Sequence, residues 1–213
     1  MVFKMYNHKN GCILRKLRRD DLSDLLVLKN ESWWGTHKTI VANEEDQNKW
    51  FDSIPSNSLF MIAQISILNA DLESFGVAVY NNIDYQNRSL SISGSIFKKH
   101  RNSETSKIGF AAGLDFAFEM LNVDRVEAEV LAYNIPAQNL EIDYLGFKIE
   151  GKKRNAIFKC GKYYDSIILG MLRSEWENSQ RVKKLGDTCN KNFSHDKMFK
   201  IQERFSREFG SVA

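Results

Sequence analysis

The densest chemistry in the sequence lies in one turn. KHRNSETSKIG, Lys99 to Gly109, combines the cations Lys99, Arg101 and Lys107 with the hydroxyls of Ser103, Thr105 and Ser106. Before it, SLSISGSIF alternates like a strand, and after it FAAGLDFAFEML reads as an amphipathic helix. A helix N-terminus supplies unpaired N–H groups and the positive end of a dipole, so a basic, hydroxyl-rich turn at that point suits a phosphate. No glycine occurs in the turn before Gly109. It is either a phosphate cradle built from hydroxyls and cations, or a polar connection that caps a helix.

A second group of residues is aromatic and titratable. Trp33, Trp34 and His37 share the irregular stretch SWWGTHK, and Tyr163 and Tyr164 sit near the C-terminal end of the apolar pattern. Such rings can stack on a sugar or a base, or cover a sheet. His37 has the side chain whose ordinary pKa lies nearest neutrality. Glu31 and Glu129 are further candidates for proton transfer.

These residues need a frame, and hydrophobic periodicity outlines one. CILRKL is a short strand. A helix follows, capped at Asp20 or Asp21, with Leu22, Leu25, Leu26, Val27 and Leu28 inward. A second helix starts at Asn43, carries Trp50, Phe51 and Ile54 on its apolar side, and stops near Pro55. Three strands come next: Leu59–Leu68, Phe75–Asn82 and Arg88–Phe97. In the third, Leu90, Ile92 and Ile96 share one parity, and Gly94 marks a bulge or a close backbone approach. After the basic turn come a helix from Ser106 to Leu121 and the alternating strand VDRVEAEVLA. A helix then ends at Gly146, and a hairpin turns near Gly161–Lys162. The expected class is α+β, one mixed central sheet flanked by helices. Residues 1–176 form the domain and 177–213 a charged helical extension. In that extension Met198, Ile201, Phe205 and Phe209 have helical spacing, suited to packing on the domain or on a second copy in a homodimer.

Bulk composition narrows the class. Over 213 residues, 30 basic against 27 acidic side chains is too balanced to argue for a nucleic-acid partner. The three cysteines are scattered, with no zinc-like spacing and no even disulfide set, which suggests a reducing compartment and no metal. No stretch approaches the roughly 18 apolar residues of a membrane span, and MVFKMYNHKNG lacks the apolar core of a secretory signal. The expectation is a cytoplasmic protein without a membrane partner.

The order of elements resembles the GNAT superfamily of N-acetyltransferases. LDFAFEMLNVDRVEAEVLAYN is similar to the helix–strand–Asn segment of the branch that acetylates ribosomal protein N-termini and nucleotide-linked amino sugars. GFKIEGKKRNAIFKCGKYYDSIILGMLRSEW resembles that branch's ending, with Gly146-Phe147, Glu150-Gly151, Arg154, Gly161, Tyr163-Tyr164-Asp165 and Glu175-Trp176 as landmarks. LRKLRRDDLSDLLVLKN resembles its opening, including Asn30. The likeness covers about residues 12–176.

The resemblance implies transfer of an acetyl group from acetyl-CoA, as co-substrate, to an amine: a small molecule such as an amino sugar nucleotide, or a protein N-terminus. It places the pyrophosphate signature on Arg101, Asn102, Ser103, Glu104, Thr105 and Ser106, with Lys107 adding charge. Glu104 and Ser106 stand where the family has glycine. Ser95, Ile96 and Phe97 would lend backbone groups to the pantetheine arm, and Asn134 would hydrogen-bond it. The strand Ser89–Ser93 lacks the family's carboxylate, so the candidates for the base are His37, in the segment that lines the family's acceptor site, Glu31 and Glu129. The family's tyrosine acid falls on Ile142, with Tyr144 nearby as the substitute. The span from Asn134 to Phe147 is one residue longer than the family's usual span. Asn30, Trp33, Trp34, Tyr163 and Tyr164 would line the acceptor pocket. The departures in the turn, the strand and the tyrosine position also fit a second reading, a non-catalytic binding protein on the same fold with a degenerate CoA site.

Overall fold

The sheet is built from strands β1 (Met5–Asn7), β2 (Cys12–Lys16), β3 (Leu59–Ser66), β4 (Leu72–Asp84), β5 (Ser89–Ile96), β6 (Arg125–Leu131), β7 (Lys148–Lys159) and β8 (Lys162–Leu172). The computed structural model describes residues 5–37, 43–66 and 72–179. By internal contacts the chain divides into two units, Met1–Trp176 and Glu177–Ala213. The expected tail helix, Ser194–Phe209, lies outside the described residues. Helices α1 (Leu22–Ser32) and α2 (Glu44–Asp52) separate β2 from β3, α3 (Glu104–Glu119) joins β5 to β6, and α4 (Ile135–Gln138) follows β6. From α4 the chain runs on as a π-helix, Asn139–Leu145, and α5 (Arg173–Asn178) follows β8.

The sheet order is β1-β2-β3-β4-β5-β6-β8-β7. Every neighbouring pair is antiparallel except β5 and β6, which are parallel because α3 crosses between them. That parallel register is short, joining Ser89, Leu90 and Ser91 to Arg125, Val126 and Glu127. Beyond it β5 stays with β4 as far as Ile96, while β6 stays with β8 as far as Leu131. The sheet therefore splits into a V in its middle.

Helices cover both faces. On one, Leu22, Leu25 and Leu28 of α1 cluster with Leu17, Ile62 and Val77, and Trp50, Phe51 and Ile54 pack beside them. On the other, α3 lies so close to β4 that a Cβ on Gly109 would come within 2.4 Å of the Phe75 ring. Tyr80 donates its hydroxyl hydrogen to Gly113 O at 2.9 Å on the same face. Below α3, a buried Asp115 accepts from Trp176 Nε1 at 2.7 Å and stands 2.8 Å from His8 Nε2, so the residues after β1, α3 and α5 share one polar anchor. Among the described residues no helix is long and apolar enough to cross a membrane.

Several local expectations need correction. Strand β1 was not anticipated, because Met5–Asn7 is too short to show a period. Asp21 caps α1 by position but not through its side chain. Its carboxylate instead makes two bonds to Arg15, at 2.6 and 2.7 Å, and accepts from Arg18 N. Val27 does not face the core; it is exposed. Gly94 is a site of close approach, since a Cβ there would sit 2.9 Å from Val77 O, and the register through it is unbroken. Asn43 caps α2 as expected, accepting from Asp46 N at 2.8 Å. The β7–β8 hairpin turns on Cys160 and Gly161, both with positive φ, the pair of left-handed residues a tight hairpin needs.

Candidate active site

The basic turn forms the mouth of the V. Ser103 is the N-cap of α3: its Oγ accepts from Ser106 N at 3.3 Å and donates to His100 O at 2.5 Å. Ser106 Oγ donates to Ser103 O at 2.6 Å. Asn102 adopts positive φ, giving the left-handed kink that glycine would otherwise supply. Glu104 and Thr105 open the helix, so their N–H groups have no acceptor within it. Glu104 turns back to Lys107 at 2.7 Å, and that bond holds the ammonium's pKa above the usual lysine range. Arg101 points the other way. Its guanidinium donates to Ile96 O at 3.0 Å, Ser32 Oγ at 2.9 Å and Glu31 O at 3.4 Å, so it ties α1 to the end of β5.

Backbone direction inside the V follows from the ladders. Phe97 N donates to Phe75 O at 2.9 Å. Antiparallel pairs alternate, so Ser95 and Ser93 also turn their backbone groups toward β4, while Ile96 and Gly94 turn theirs toward the gap. Across it, Ala132 N donates to Asp165 O at 2.9 Å, which turns Val130 and Ala128 toward β8 and Glu129 and Leu131 toward the gap. Arg101 occupies Ile96 O, and Asn134 N occupies Leu131 O at 2.8 Å. What remains are the peptide groups of Gly94 and Glu129 and the N–H groups of Ile96 and Leu131. Of the three residues expected to present backbone here, Ile96 does so; Ser95 and Phe97 pair with β4.

Side-chain alternation assigns the two faces. Ile92 and Gly94 lie against Gly113 and Phe110 of α3, which leaves Ser91, Ser93 and Ser95 on the α1 face. The parallel register carries this over to β6, putting Glu129 on the α1 face. His37 stands there as well, with Nε2 3.4 Å from Glu129 Oε1. Glu129 also accepts from Lys153 Nζ at 2.7 Å and from Ser166 Oγ. Burial raises the Glu129 carboxyl's pKa, but those two hydrogen bonds outweigh it and hold the group below its usual range. Burial lowers the pKa of His37, and the charges of Lys159 and Lys153 add to this against Glu129.

Lys159 fixes the segment that carries His37. Its buried ammonium donates to Trp33 O, to Trp34 O at 3.3 Å and to Thr36 O. Tyr133 OH donates to Trp34 O. A Cβ on Gly35 would come within 3.2 Å of Asn134 Nδ2, so the loop rests on the residue that caps α4. Trp33 and Trp34 remain 41% and 39% exposed, open to a ligand. Tyr164 meets Tyr133 edge-on at 4.6 Å, whereas Tyr163, 64% exposed, packs at a tilt against Phe158, so the two tyrosines do not share one pocket. Asn30 is exposed at the end of α1. Tyr144 lies with its ring 5.7 Å from Lys107 Nζ, at the turn rather than in the V. Lys153 belongs to the basic cluster Lys152–Arg154, but nothing local in the sequence marks Lys159 or Ser166, which read as strand residues like any others.

A split sheet with a helix N-terminus at its mouth defines a transferase frame that can hold an extended acyl carrier between strands. The chain belongs to the GNAT acetyltransferase family: residues 14–168 match the family described as the acetyltransferase (GNAT) domain. It is 36% identical over 83 residues to the SPbeta prophage-derived uncharacterized N-acetyltransferase YokL of Bacillus subtilis, a match spanning 39% of this chain and 46% of that protein. It is 22% identical over 159 residues to YdaF of the same organism, provisionally named a ribosomal N-acetyltransferase, spanning 73% of this chain and 86% of that one. In three dimensions it is similar to spermidine N-acetyltransferase from Vibrio cholerae in complex with CoA and spermine. The TM-score is 0.71 at 20% identity, covering 80% of this chain and all of that one.

Proposed function

We propose that the protein transfers the acetyl group of acetyl-CoA to the primary amine of a small molecule with a neutral or anionic body, an amino sugar nucleotide ahead of a protein N-terminus. The observation that carries this reading is the V between β5 and β6, with unpaired peptide groups at Gly94 and Glu129 and α3 starting at its mouth. When bound, acetyl-CoA supplies a thioester carbonyl open to attack by an amine. Gly94, Ile96, Glu129 and Leu131 hold the pantetheine arm as an added strand. The N–H groups of Glu104 and Thr105, the Thr105 hydroxyl and Lys107 face the pyrophosphate. Asn102, Ser103 and Ser106 shape the turn, and Arg101 closes it against α1.

The amine enters from the α1 face. His37 is neutral at pH 7 because burial favours its uncharged form, so it accepts the amine's proton directly or through water ordered by Ser91, Ser93 and Ser95. Glu129 steadies the imidazolium that results. Trp33 and Trp34 offer the rings for stacking. The charge around this site argues for the acceptor class: Lys153 pairs with Glu129 at 2.7 Å, and Lys159 lies just behind. The Glu129 carboxylate is thus already matched by a lysine, which disfavours a polycation and favours an acceptor with a neutral or anionic body. Release of CoA from acetyl-CoA, followed with a UDP-amino sugar, spermidine and a ribosomal N-terminal peptide in turn, tests the reading. Turnover should be fastest with the UDP-amino sugar; a preference for spermidine would overturn the acceptor class, and no turnover with any amine would overturn the activity.

A further inference from the structure

Only four buried side-chain polar atoms among the described residues lack a hydrogen-bond partner: Asn10 Oδ1, Gln47 Nε2, His37 Nε2 and Glu141 Oε2. Buried polar atoms are nearly always paired, so an unpaired one calls for a role. His37 has one in the reading above. Glu141 lies on the other side of the sheet, where the reaction needs the opposite kind of group.

Glu141 sits in the π-helix Asn139–Leu145. Single π turns are rare, and they occur often at functional sites. The helix begins at Asn134, beside the gap end of β6, and Tyr144 on it faces Lys107 of α3. A Cβ on Gly146 at its end would contact Met171, the register partner of Val126. The helix therefore stands on the α3 face, flanking the gap opposite α3. The backbone is pinned there, because Glu141 O accepts from Phe147 N at 2.9 Å and from Gly146 N. A π turn holds one residue more than an α turn, so a position counted back from Gly146 through it shifts from Ile142 to Glu141.

We propose that Glu141 is the proton donor to the departing sulfur, an inference that rests on the acetyl-transfer reading. As the bond between carbonyl carbon and sulfur breaks, its electron pair goes to sulfur. The Glu141 carboxyl gives its proton to that sulfur, leaving a thiol and a carboxylate, and takes a proton back from solvent before the next cycle. Burial raises the Glu141 pKa to about 7, so the carboxyl is substantially protonated at neutral pH. Acid and base then stand on opposite faces of the split sheet, Glu141 for the thiol and His37 for the amine.

Glu141→Gln keeps the shape and removes the proton. Its kcat should fall on the order of 100-fold, the usual scale for acid–base catalysis, with CoA affinity and melting temperature unchanged. The native protein should lose rate above about pH 7, as this acid deprotonates, and that limb should be missing from the variant's profile. Glu141→Asp should recover part of the rate and restore that limb. Independently of turnover, the unliganded native protein should show in its infrared spectrum a protonated-carboxyl band at pH 6 that is lost by pH 9, on either side of about 7, and the variant should lack it. A native-like rate and pH profile in Glu141→Gln, or no such band in the native protein, would overturn the proposal alone. Absence of acetyl transfer by the native protein to any amine would overturn the underlying reading as well.

Discussion

His37 Nε2 faces Glu129 Oε1 across 3.4 Å, a separation at which the carboxylate attracts a charged imidazolium without binding the neutral ring. One residue comes from the loop after α1 and the other from β6, so the pair exists only when both are in place. Replacing His37 with Gln should lower kcat/KM roughly 100-fold or more if it is the base. Its folded pKa lies below the ordinary histidine value, so the neutral, working form persists to lower pH than a free histidine would allow. Activity should fall as pH drops below the ordinary histidine range near 6.5, and this acid limb should vanish in the variant. A pH profile of kcat/KM for both proteins checks it.

Glu104 determines how much positive charge the mouth offers. Its carboxylate holds Lys107 at 2.7 Å on an exposed surface. Glu104→Gln or Glu104→Gly should release that ammonium toward the pyrophosphate and tighten CoA binding about two- to fivefold, the scale of an exposed ion pair. Titration calorimetry with CoA at two salt concentrations reads the change, and the gain should shrink at the higher salt.

Lys159 is a positioning residue. In Lys159→Met the carbonyls of Trp33 and Thr36 would lose the lysine as donor, while Trp34 O keeps the Tyr133 hydroxyl. Leaving buried acceptors unmatched costs about 1–3 kcal/mol, so denaturant midpoints should drop by that equivalent. Tryptophan fluorescence should report a loosened Trp33–Trp34 segment, and KM for the amine should rise more than KM for acetyl-CoA.

Gly109 allows α3 to approach β4. In Gly109→Ala the new methyl meets the Phe75 ring at 2.4 Å. Overpacking of this kind costs about 1–3 kcal/mol, outweighing the gain in helix propensity, and a chemical denaturation curve measures it.

The fold was legible where a period runs for several residues. Leu90 and Ile96, or Val126, Ala128 and Val130, show their burial directly, Ile92 is half-buried on the same face, and Gly146 with positive φ marks its helix end. The basic turn was legible as a strand–helix junction, but its helix was expected from Ser106 and begins at Glu104, with Ser103 as its cap. What could not be read was set by distant pairing. Arg101 looks like a phosphate ligand until its bonds to Ile96, Glu31 and Ser32 are seen. Lys159 looks like any strand lysine until the loop of Trp33–Thr36 folds over it. The π turn that moves Glu141 leaves as its only trace a span from Asn134 to Phe147 that is one residue longer than the family's usual one.

Amide hydrogen exchange with and without saturating CoA tests the central claim most directly, because it reads the V itself. Exchange at Gly94, Ile96, Glu129 and Leu131 should slow when CoA binds, while Val77 and Ser95, already paired between β4 and β5, stay unchanged. CoA binding without any slowing at those four amides would contradict the claim that the split between β5 and β6 holds the acyl carrier.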